Sequence, residues 1–573
     1  MLLAGPIKEY KEAFELPNMA PHTEFEYFAT HVAFGHEYLG DEDINDYMAG
    51  DGTIGVDSAL VVINGQPVND LGDAREIIRD SKSLDVSFHF LQAKMSVSYS
   101  RDLVLGFMDA VQGFVDARTS IIAHPFWAQL REIFVEIYAS SAKFRNGAPE
   151  LRVYFAFQGS PPVNDELFKD TVNTFESDMA DRALFRSTHV NILGASQLLR
   201  LYNATVNKVE ATVSFPRQTP LPRIPGIDQA YIGAIAGTEL IKMLATEAGS
   251  LRKSAFFDNV RDFQQWNAVN EEMYSTLDSD KKGLFAVLNN GVTVVAKEVR
   301  IAGDDFTIED YQIVNGCQTS NVLFYARELD LSSVYIPLRL IVTNNADTTA
   351  KITQATNSQT PITKEDLIAS TDFQKELETF YKSMASARSK QRLYYERRSG
   401  QFTEESVEQT RVITKLIQMR AFAAMFLDVP HVSSRFPGEL YDLSPEKIFT
   451  SGHKLEAYFA SALCWYRLDV WLRTGRIDAS LKPSRFVMMN VFRRIALPKS
   501  EPGDLTTKNA AKYASMLIEV LSDDSVCLGH FEKAAEIVRK ASAGDPSRDR
   551  VKREKLLQDC VALLEAEELQ HGM

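Results

Sequence analysis

The sequence predicts three successive regions: a mixed α/β region, an α+β region and an all-α region. Short apolar runs such as Ser58–Ile63 and Leu151–Phe157 are typical of strands, and amphipathic helical patterns separate them. A mixed sheet flanked by helices is therefore expected first. Beyond about residue 405 the pattern is helical throughout. The predicted boundaries are a lead-in over 1–22, the α/β domain over 23–204, the α+β domain over 205–430 and the helical domain over 431–573.

Composition narrows the class of protein. The chain has 573 residues, of which 45% are hydrophobic and 24% charged, as in ordinary globular proteins. No stretch reaches 18 consecutive apolar residues, so a membrane span is not expected. The four cysteines are far apart in sequence, which fits a reducing cytoplasm and argues against a thiolate zinc site. The formal net charge of −15 does not favour general nucleic-acid binding.

Helical periodicity is clearest in three segments of the first domain. Thr23 to about Leu39 places Phe25, Phe28, Ala29, Val32 and Ala33 on one face. Asp102–Arg118 is a second amphipathic segment, and Phe126–Phe144 is a third. The apolar face expected for the second segment consists of Leu103, Leu105, Phe107, Met108, Val111 and Phe114.

Polar residues at two strand ends form the main candidate site. Asp57 follows the Gly-rich bend Asp51–Val56 and opens the strand Ser58–Ile63. Gln92 and Lys94 end the run Val86–Lys94, and strand alternation puts them on one face. A carboxylate and an amide oxygen are hard ligands that suit Mg²⁺. A lysine beside them adds positive charge for a phosphate or an attacking water, so the set suits phosphodiester hydrolysis.

A structural explanation competes with this one, since Asp57 also fits a turn or cap, and Gln92 and Lys94 fit solvated strand-end residues. The order Gly-Val-Asp, hairpin, Gln-Ala-Lys nevertheless resembles the PD-(D/E)XK nuclease superfamily over about residues 20–160. It is most similar to the Mrr-type branch, in which Gln replaces the second acid. The resemblance implies Mg²⁺ or Mn²⁺ as cofactor. It also implies a further acidic ligand on the preceding helix, for which Glu26 is the candidate and Glu37 the substitute.

Several polar motifs follow one another in the second domain. They are Phe256–Phe263, Leu288–Ala296, Tyr311–Ser320, Ala355–Ile362 and Tyr394–Gly400. In this order they resemble the abortive-infection phage-resistance (AIPR) family over about residues 240–430. That resemblance implies a role in bacterial anti-phage defence.

The same motifs also suggest a phosphate-binding pocket. Asn-Gly turns expose backbone N–H groups, and a helix that starts after Gly316 favours an anion. The competing explanation is that Asn and Gly in turns only set the backbone angles. The stretch Arg388–Arg398 adds arginines and tyrosines that suit a nucleic-acid strand, or else form a charged helix end. The candidate substrate-binding residues are Arg261, Asn290, Asn315, Gln318, Asn357, Arg397 and Arg398.

Taken together, the sequence predicts a cytoplasmic, metal-dependent nuclease of an anti-phage system that acts on DNA rather than RNA. One alternative is a non-catalytic sensor with a degenerate nuclease domain, which recognises a nucleotide, a nucleic acid or a phage protein. Another is an RNase, since the metal chemistry would be the same. The expected partners are nucleic acid and either a phage-derived trigger or an ATPase. A homodimer is expected by analogy with nucleases that cut both strands.

Overall fold

A computed structural model divides the chain into two compact units. The first contains Met1–Ile7 and Pro21–Ile362, and the second contains Lys8–Ala20 and Thr363–Met573. Helix α1 (Ala4–Ala13) crosses the division. The structure describes all residues except 1, 35–42, 51, 145–146, 163–164, 207–209, 246–250, 253–254, 257–267, 358–371, 388–390, 398–401, 403–406, 435–439, 441–446, 499, 545–550, 552–553 and 572–573.

A five-stranded sheet organises the start of the first unit, in the order β2-β1-β3-β4-β5. Strand β1 is antiparallel to β2 and β3, whereas β3, β4 and β5 run parallel. Parallel neighbours need crossover connections, which helices supply here. The elements are α2 (Pro21–Thr30), β1 (Ser58–Ile63), β2 (Gln66–Val68), α3 (Leu71–Asp80), β3 (Val86–Lys94), α4 (Arg101–Val115), α5 (Thr119–Ile122), α6 (Pro125–Ala139), β4 (Glu150–Phe157), α7 (Glu166–Asp181), β5 (Ser187–Leu193) and α8 (Ala195–Val206).

Both faces of β3 are covered, because helices pack on each side of the sheet. Phe90 lies against Phe114 of α4 and Trp127 of α6 on one face. On the other face, His89 contacts Phe34, which follows α2. A strand buried on both faces reads as a nearly continuous apolar run, as it does here. The fold class predicted for this region is therefore confirmed.

Helix α2 ends at Thr30 and is followed by a short π-helical turn over 31–34, and residues 35–39 of the predicted helix lie outside the described residues. The predicted apolar face of α4 was wrong at two positions. Leu103 and Leu105 are each 41% exposed. The buried stripe of α4 is centred instead on residues such as Val104 and Val111. Each residue turns the helix by about 100°, so neighbours of a buried residue face away from the sheet.

A six-stranded sheet follows in the same unit, in the order β6-β10-β9-β11-β8-β7. Strands β9 and β11 are parallel, and the other neighbours are antiparallel. The proline-rich stretch over 216–225 contains β7, an edge strand, which is a position that tolerates proline. The elements are β6 (Glu210–Ser214), β7 (Arg217–Pro220), β8 (Gln229–Ala236), α9 (Gly237–Leu244), α10 (Ala268–Leu277), α11 (Phe285–Leu288), β9 (Val292–Ala302), β10 (Asp305–Asn315), α12 (Cys317–Tyr325), β11 (Tyr335–Val342) and α13 (Ala346–Asn357).

A partly buried polar network joins the two sheets of this unit. The hydroxyl of Tyr325, at the end of α12, donates to Asp85 Oδ2 at 2.7 Å. Asp85 directly precedes β3 and also forms an ion pair with Arg186 at 2.8 Å. Arg186 in turn pairs with Glu150 at 3.2 Å. Burial, together with the nearby Asp85 carboxylate, raises the pKa of Tyr325 well above its usual value, so the phenol stays protonated and donates.

The second unit is mainly helical, and in the described part of 431–573 the regular elements are all helices. Its core packs around aromatic residues such as Phe422 and Tyr458, whose rings stack at 4.0 Å. The helical pattern expected beyond about residue 405 was wrong at its start, because residues 412–414 pair with 394–396 as parallel strands. The elements are α14 (Asp372–Ala387), β12 (Tyr394–Glu396), β13 (Val412–Thr414), α15 (Lys415–Phe426), α16 (Pro430–Ser433), α17 (Leu455–Arg473), α18 (Arg485–Ala496), α19 (Lys508–Ser522), α20 (Asp524–Ala541) and α21 (Glu554–His571).

The segment Lys8–Ala20 belongs to the second unit, where Glu15 contacts Arg411 at 3.3 Å and accepts a hydrogen bond from the Tyr466 hydroxyl.

None of the helices in the described ranges is both long and apolar enough to cross a membrane.

Candidate functional sites

The loop before β1 is held in place by helices α4 and α6. Gly55 has φ +73°, and a Cβ added there would lie 2.5 Å from the Cβ of Ala110 on α4. Glycine is therefore needed at this position for two reasons, the backbone angle and the close approach. Trp127 on α6 donates its indole N–H to the Ile54 carbonyl at 3.3 Å. The loop thus leads Asp57 to a fixed place at the start of β1.

Asp57 is anchored to the end of β3 through both its backbone and its side chain. Its N–H donates to the Leu91 carbonyl at 2.9 Å. Its carboxylate oxygen Oδ2 accepts from the Ala93 N–H at 2.7 Å and from Lys94 Nζ at 3.4 Å. The side chains of Asp57 and Lys94 are 16% and 31% exposed. The structure therefore brings together the carboxylate and the ammonium that the sequence singled out.

Burial raises the pKa of Asp57 above its usual value. The nearby Lys94 charge, the Ala93 hydrogen bond and His22 all lower this pKa, but burial outweighs them. The ionised carboxylate is therefore under-stabilised by the protein alone. A cation placed beside it would favour the ionised form and lower its pKa.

Gln92 supplies a second oxygen near the end of β3. Its side chain is buried, at 6% exposure, and its Oε1 has no hydrogen-bond partner among the described residues. Strand alternation places it on the same face as Lys94, toward α4. An unpaired buried carbonyl oxygen costs about 1–3 kcal/mol, so such an atom calls for an explanation. A bound cation would satisfy it, and this donor set fits Mg²⁺.

Helix α2 contributes His22 and Glu26. They are four residues apart, so they share one helix face. His22 is close enough for its charge to affect Asp57, and the partly buried Glu26 lies one turn further along. In the described residues, no group of three or more His, Cys, Asp or Glu side chains could hold a metal ion. A cation at this site would therefore depend on at most two acidic side chains, on neutral oxygens such as Gln92 Oε1 and on water.

A polar cavity of about 340 Å³ lies in the second sheet region. Two of the predicted residues, Asn290 and Asn315, line it together with Arg339, Ala355 and Thr356. Asn315 and Arg339 flank the same residue of β9, Thr293, in adjacent strands. Three strands therefore bring together residues that are up to about fifty positions apart in sequence.

Two close backbone approaches set the shape of this cavity. Gly316 has φ +90°, and a Cβ added there would lie 2.6 Å from the carbonyl oxygen of Gly291. Gly291 has φ +79°, and a Cβ added there would collide with the carbonyl oxygen of Pro337. The Asn-Gly motifs at 290–291 and 315–316 therefore lie close together, and both positions require glycine. Asn315 Nδ2 donates to the Thr356 carbonyl at 2.8 Å, so it ties the end of β10 to the last turn of α13.

The remaining candidates have different positions. Gln318 is exposed in the first turn of α12. Arg397 lies in the second unit, where its Nε donates to Glu378 Oε2 at 2.9 Å and its side chain is only 14% exposed. Arg261, Arg398 and Glu37, as well as the side chain of Asn357, lie outside the described residues.

Sequence reasoning missed His22 and Arg339. His22 carried a signal, since it stands one helical turn before Glu26 on the helix that precedes the Asp57 loop. Arg339 carried one as well, because it interrupts the apolar run Leu338–Val342. Both became meaningful once the fold had shown which strands are neighbours.

Comparison with known proteins gave one match, to a family model that covers the last part of the first unit and most of the second unit. No curated protein and no solved structure matched the chain. The matched region includes the cavity residues Asn290, Asn315 and Arg339. Residues 256–521 match the family model described as AIPR protein, which confirms the AIPR resemblance for this part of the chain.

Proposed function

We propose that the chain is a metal-dependent nuclease of an anti-phage, abortive-infection system, and that it hydrolyses phosphodiester bonds in DNA. The observation that carries the proposal is the arrangement at the end of β3. The Asp57 carboxylate is held between the Ala93 N–H and Lys94 Nζ, and the unpaired Gln92 oxygen belongs to the same strand end. The AIPR match supports the defence role.

Asp57, Gln92 and Glu26 are the residues that would hold Mg²⁺ or Mn²⁺. When bound, the metal would polarise a phosphate oxygen and lower the pKa of a water. Asp57 is preset for this role, because the Ala93 N–H fixes its orientation. The raised pKa of Asp57 means that metal binding and proton release are linked, so binding strengthens as pH rises.

Lys94 would act on the substrate itself. It is the more exposed member of the pair, so a phosphate can reach its ammonium from solvent. Its positive charge favours the negative charge that develops on the phosphate during attack by water. The ion pair with Asp57 holds the flexible lysine side chain at the strand end before substrate arrives.

A non-catalytic sensor is the alternative function. It is favoured by the finding that Asp57 and Lys94 already neutralise each other, and by the lack of a three-residue acidic or histidine cluster in the described part. An RNase would use the same residues as a DNase, so the substrate has to be decided by experiment.

The test is cleavage of plasmid, linear duplex DNA, single-stranded DNA and RNA by the full chain with Mg²⁺, Mn²⁺ or EDTA. Lys94→Ala is compared with Lys82→Ala, which removes an exposed lysine. We expect metal-dependent cutting that Lys94→Ala reduces by about 100-fold or more and that Lys82→Ala retains. Equal cutting by a folded Lys94→Ala protein would overturn the site. Failure of the wild-type chain to cut any substrate would favour the sensor.

A further inference from the structure

We propose that the cavity lined by Asn290, Asn315, Arg339 and Thr356 is a binding site for a small ligand with one phosphate group, of the nucleoside monophosphate class. The site lies on the second sheet and uses none of the residues assigned to phosphodiester cleavage. It therefore adds a ligand to the proposed nuclease and does not describe the substrate of that nuclease.

The guanidinium of Arg339 is the main recognition group. Its side chain is exposed, and in the part of the chain that the structure describes it has no hydrogen-bond or ion-pair partner. Leu338 and Leu340, its neighbours on β11, are fully buried. The strand is hydrogen-bonded on both sides, to β8 and β9. A guanidinium on so firmly held a strand is preorganised to bind a phosphate with two parallel N–H donors.

The side chain of Asn290 adds a neutral amide to the same cavity. It is exposed and, within the described residues, has no hydrogen-bond partner. Its position is fixed because the next residue, Gly291, packs directly against the Pro337 carbonyl. An amide both donates and accepts, so it suits the base or the sugar of a nucleotide.

The start of α12 contributes favourable electrostatics. Helix α12 begins at Cys317, two residues after the cavity residue Asn315. The first N–H groups of a helix have no partner within the helix, and the helix dipole favours an anion near that end. This contribution supplements the arginine and does not define the site by itself.

Size and charge favour a small ligand over a nucleic-acid strand. The cavity volume of about 340 Å³ is near the lower end of ligand pockets, which span roughly 300–1,000 Å³. A strand needs a track of several cations along its backbone. Among the described residues that line the cavity, Arg339 is the sole cationic one. One arginine matches one phosphate group.

The test is calorimetric titration of the full chain with AMP, inorganic phosphate and adenosine. Arg339→Gln is compared with Arg476→Gln, which removes an exposed arginine of the second unit. We expect AMP to bind better than adenosine. We also expect Arg339→Gln to weaken AMP binding by about tenfold or more, with Arg476→Gln unchanged. Binding of phosphate as tight as that of AMP would identify the free anion as the source of the same chemistry and would support the phosphate site.

Asn290→Ala gives a second variant, for which we expect a smaller loss that affects AMP and leaves phosphate unchanged. The proposal is overturned if neither AMP nor phosphate binds, or if Arg339→Gln binds both as well as the wild type does. Binding of a short DNA strand that depends on Arg339, without any binding of AMP, would also overturn it. None of these outcomes depends on nuclease activity, so this proposal and the proposed function can fail separately.

Discussion

The Asp57 site and the Arg339 cavity belong to the same compact unit but differ in how their charges are balanced. At the first, a partly buried carboxylate and an ammonium already form an ion pair. At the second, an exposed guanidinium has no partner among the described residues. In a balanced pair, the carboxylate can exchange its partner for a metal ion and the ammonium can exchange its partner for a phosphate, which suits catalysis. An unbalanced cation can only gain a partner, which suits binding.

The largest expected effect separates these two roles. Asp57→Ala removes the charged metal ligand, and we expect cleavage to fall by about 100-fold or more. Binding of AMP should persist in this variant, because the cavity shares no residue with the Asp57 site. Parallel cleavage assays and titrations of the variant check this. Loss of both properties in a folded Asp57→Ala protein would show that the two regions form one site.

The next effect concerns the loop that positions Asp57. Gly55→Ala combines a positive φ with a clash against Ala110, and we expect it to lower the free energy of unfolding by about 2–3 kcal/mol. Gly52→Ala is the matched control. Gly52 also has a positive φ but open space around it, so about 1 kcal/mol is expected. Urea denaturation of both variants measures the difference, and equal losses would mean that the close approach to α4 is unimportant.

A smaller effect tests the hydrogen bond that connects the two sheets of the first unit. Tyr325→Phe deletes the partly buried hydrogen bond to Asp85, and we expect a loss of about 1–2 kcal/mol in unfolding free energy. The control is Tyr335→Phe, in which the hydroxyl removed has no partner in the described part, so little change is expected. Thermal or urea unfolding distinguishes them. Indistinguishable stabilities would show that the contact between the sheets contributes nothing.

The smallest effect depends on pH. A raised carboxyl pKa means that the folded protein binds a proton more tightly than the unfolded chain, so stability falls as pH rises above about 4. Asp57→Asn removes this cost while keeping an oxygen for the Ala93 N–H. Without divalent metal, we expect it to unfold at a higher temperature than the wild type at pH 7, with the gap closing near pH 4. A less stable Asn variant at pH 7 would contradict the burial argument.

The two sites also differ in how much of them could be predicted from sequence. Asp57 precedes β1 and Lys94 ends the antiparallel neighbour β3, with only β2 and α3 between the two strands. Strand periodicity and turn residues were therefore enough to predict that they lie together. The Asn290 and Asn315 turns were also recognisable. Arg339 interrupts an apolar run, but its place beside these turns could not be predicted, because pairing of β11 with β9 is a long-range contact that no local pattern encodes. Placement of Gln92 against α4, which leaves its oxygen unpaired, likewise depends on tertiary packing.

The same reasoning explains the errors in the fold. Leu103 and Leu105 were assigned to the core because their side chains are apolar. The orientation of α4, however, is set by its contacts with the sheet. Residues 412–414 form a strand because 394–396 lie beside them, although the surrounding pattern is helical. In both cases tertiary context outweighed local preference.

The hydrogen bond from Tyr325 to Asp85 has a consequence for how the gene can be rearranged. A segment that ends after β5 would keep Asp85 and Arg186 but lose the phenol that completes their network. Exchange of the first sheet for that of a relative would therefore succeed best when the donor carries an acid at the Asp85 position. Otherwise the recipient keeps a partly buried tyrosine hydroxyl without an acceptor. One hydrogen bond thus limits which recombinants of the two sheets yield stable proteins.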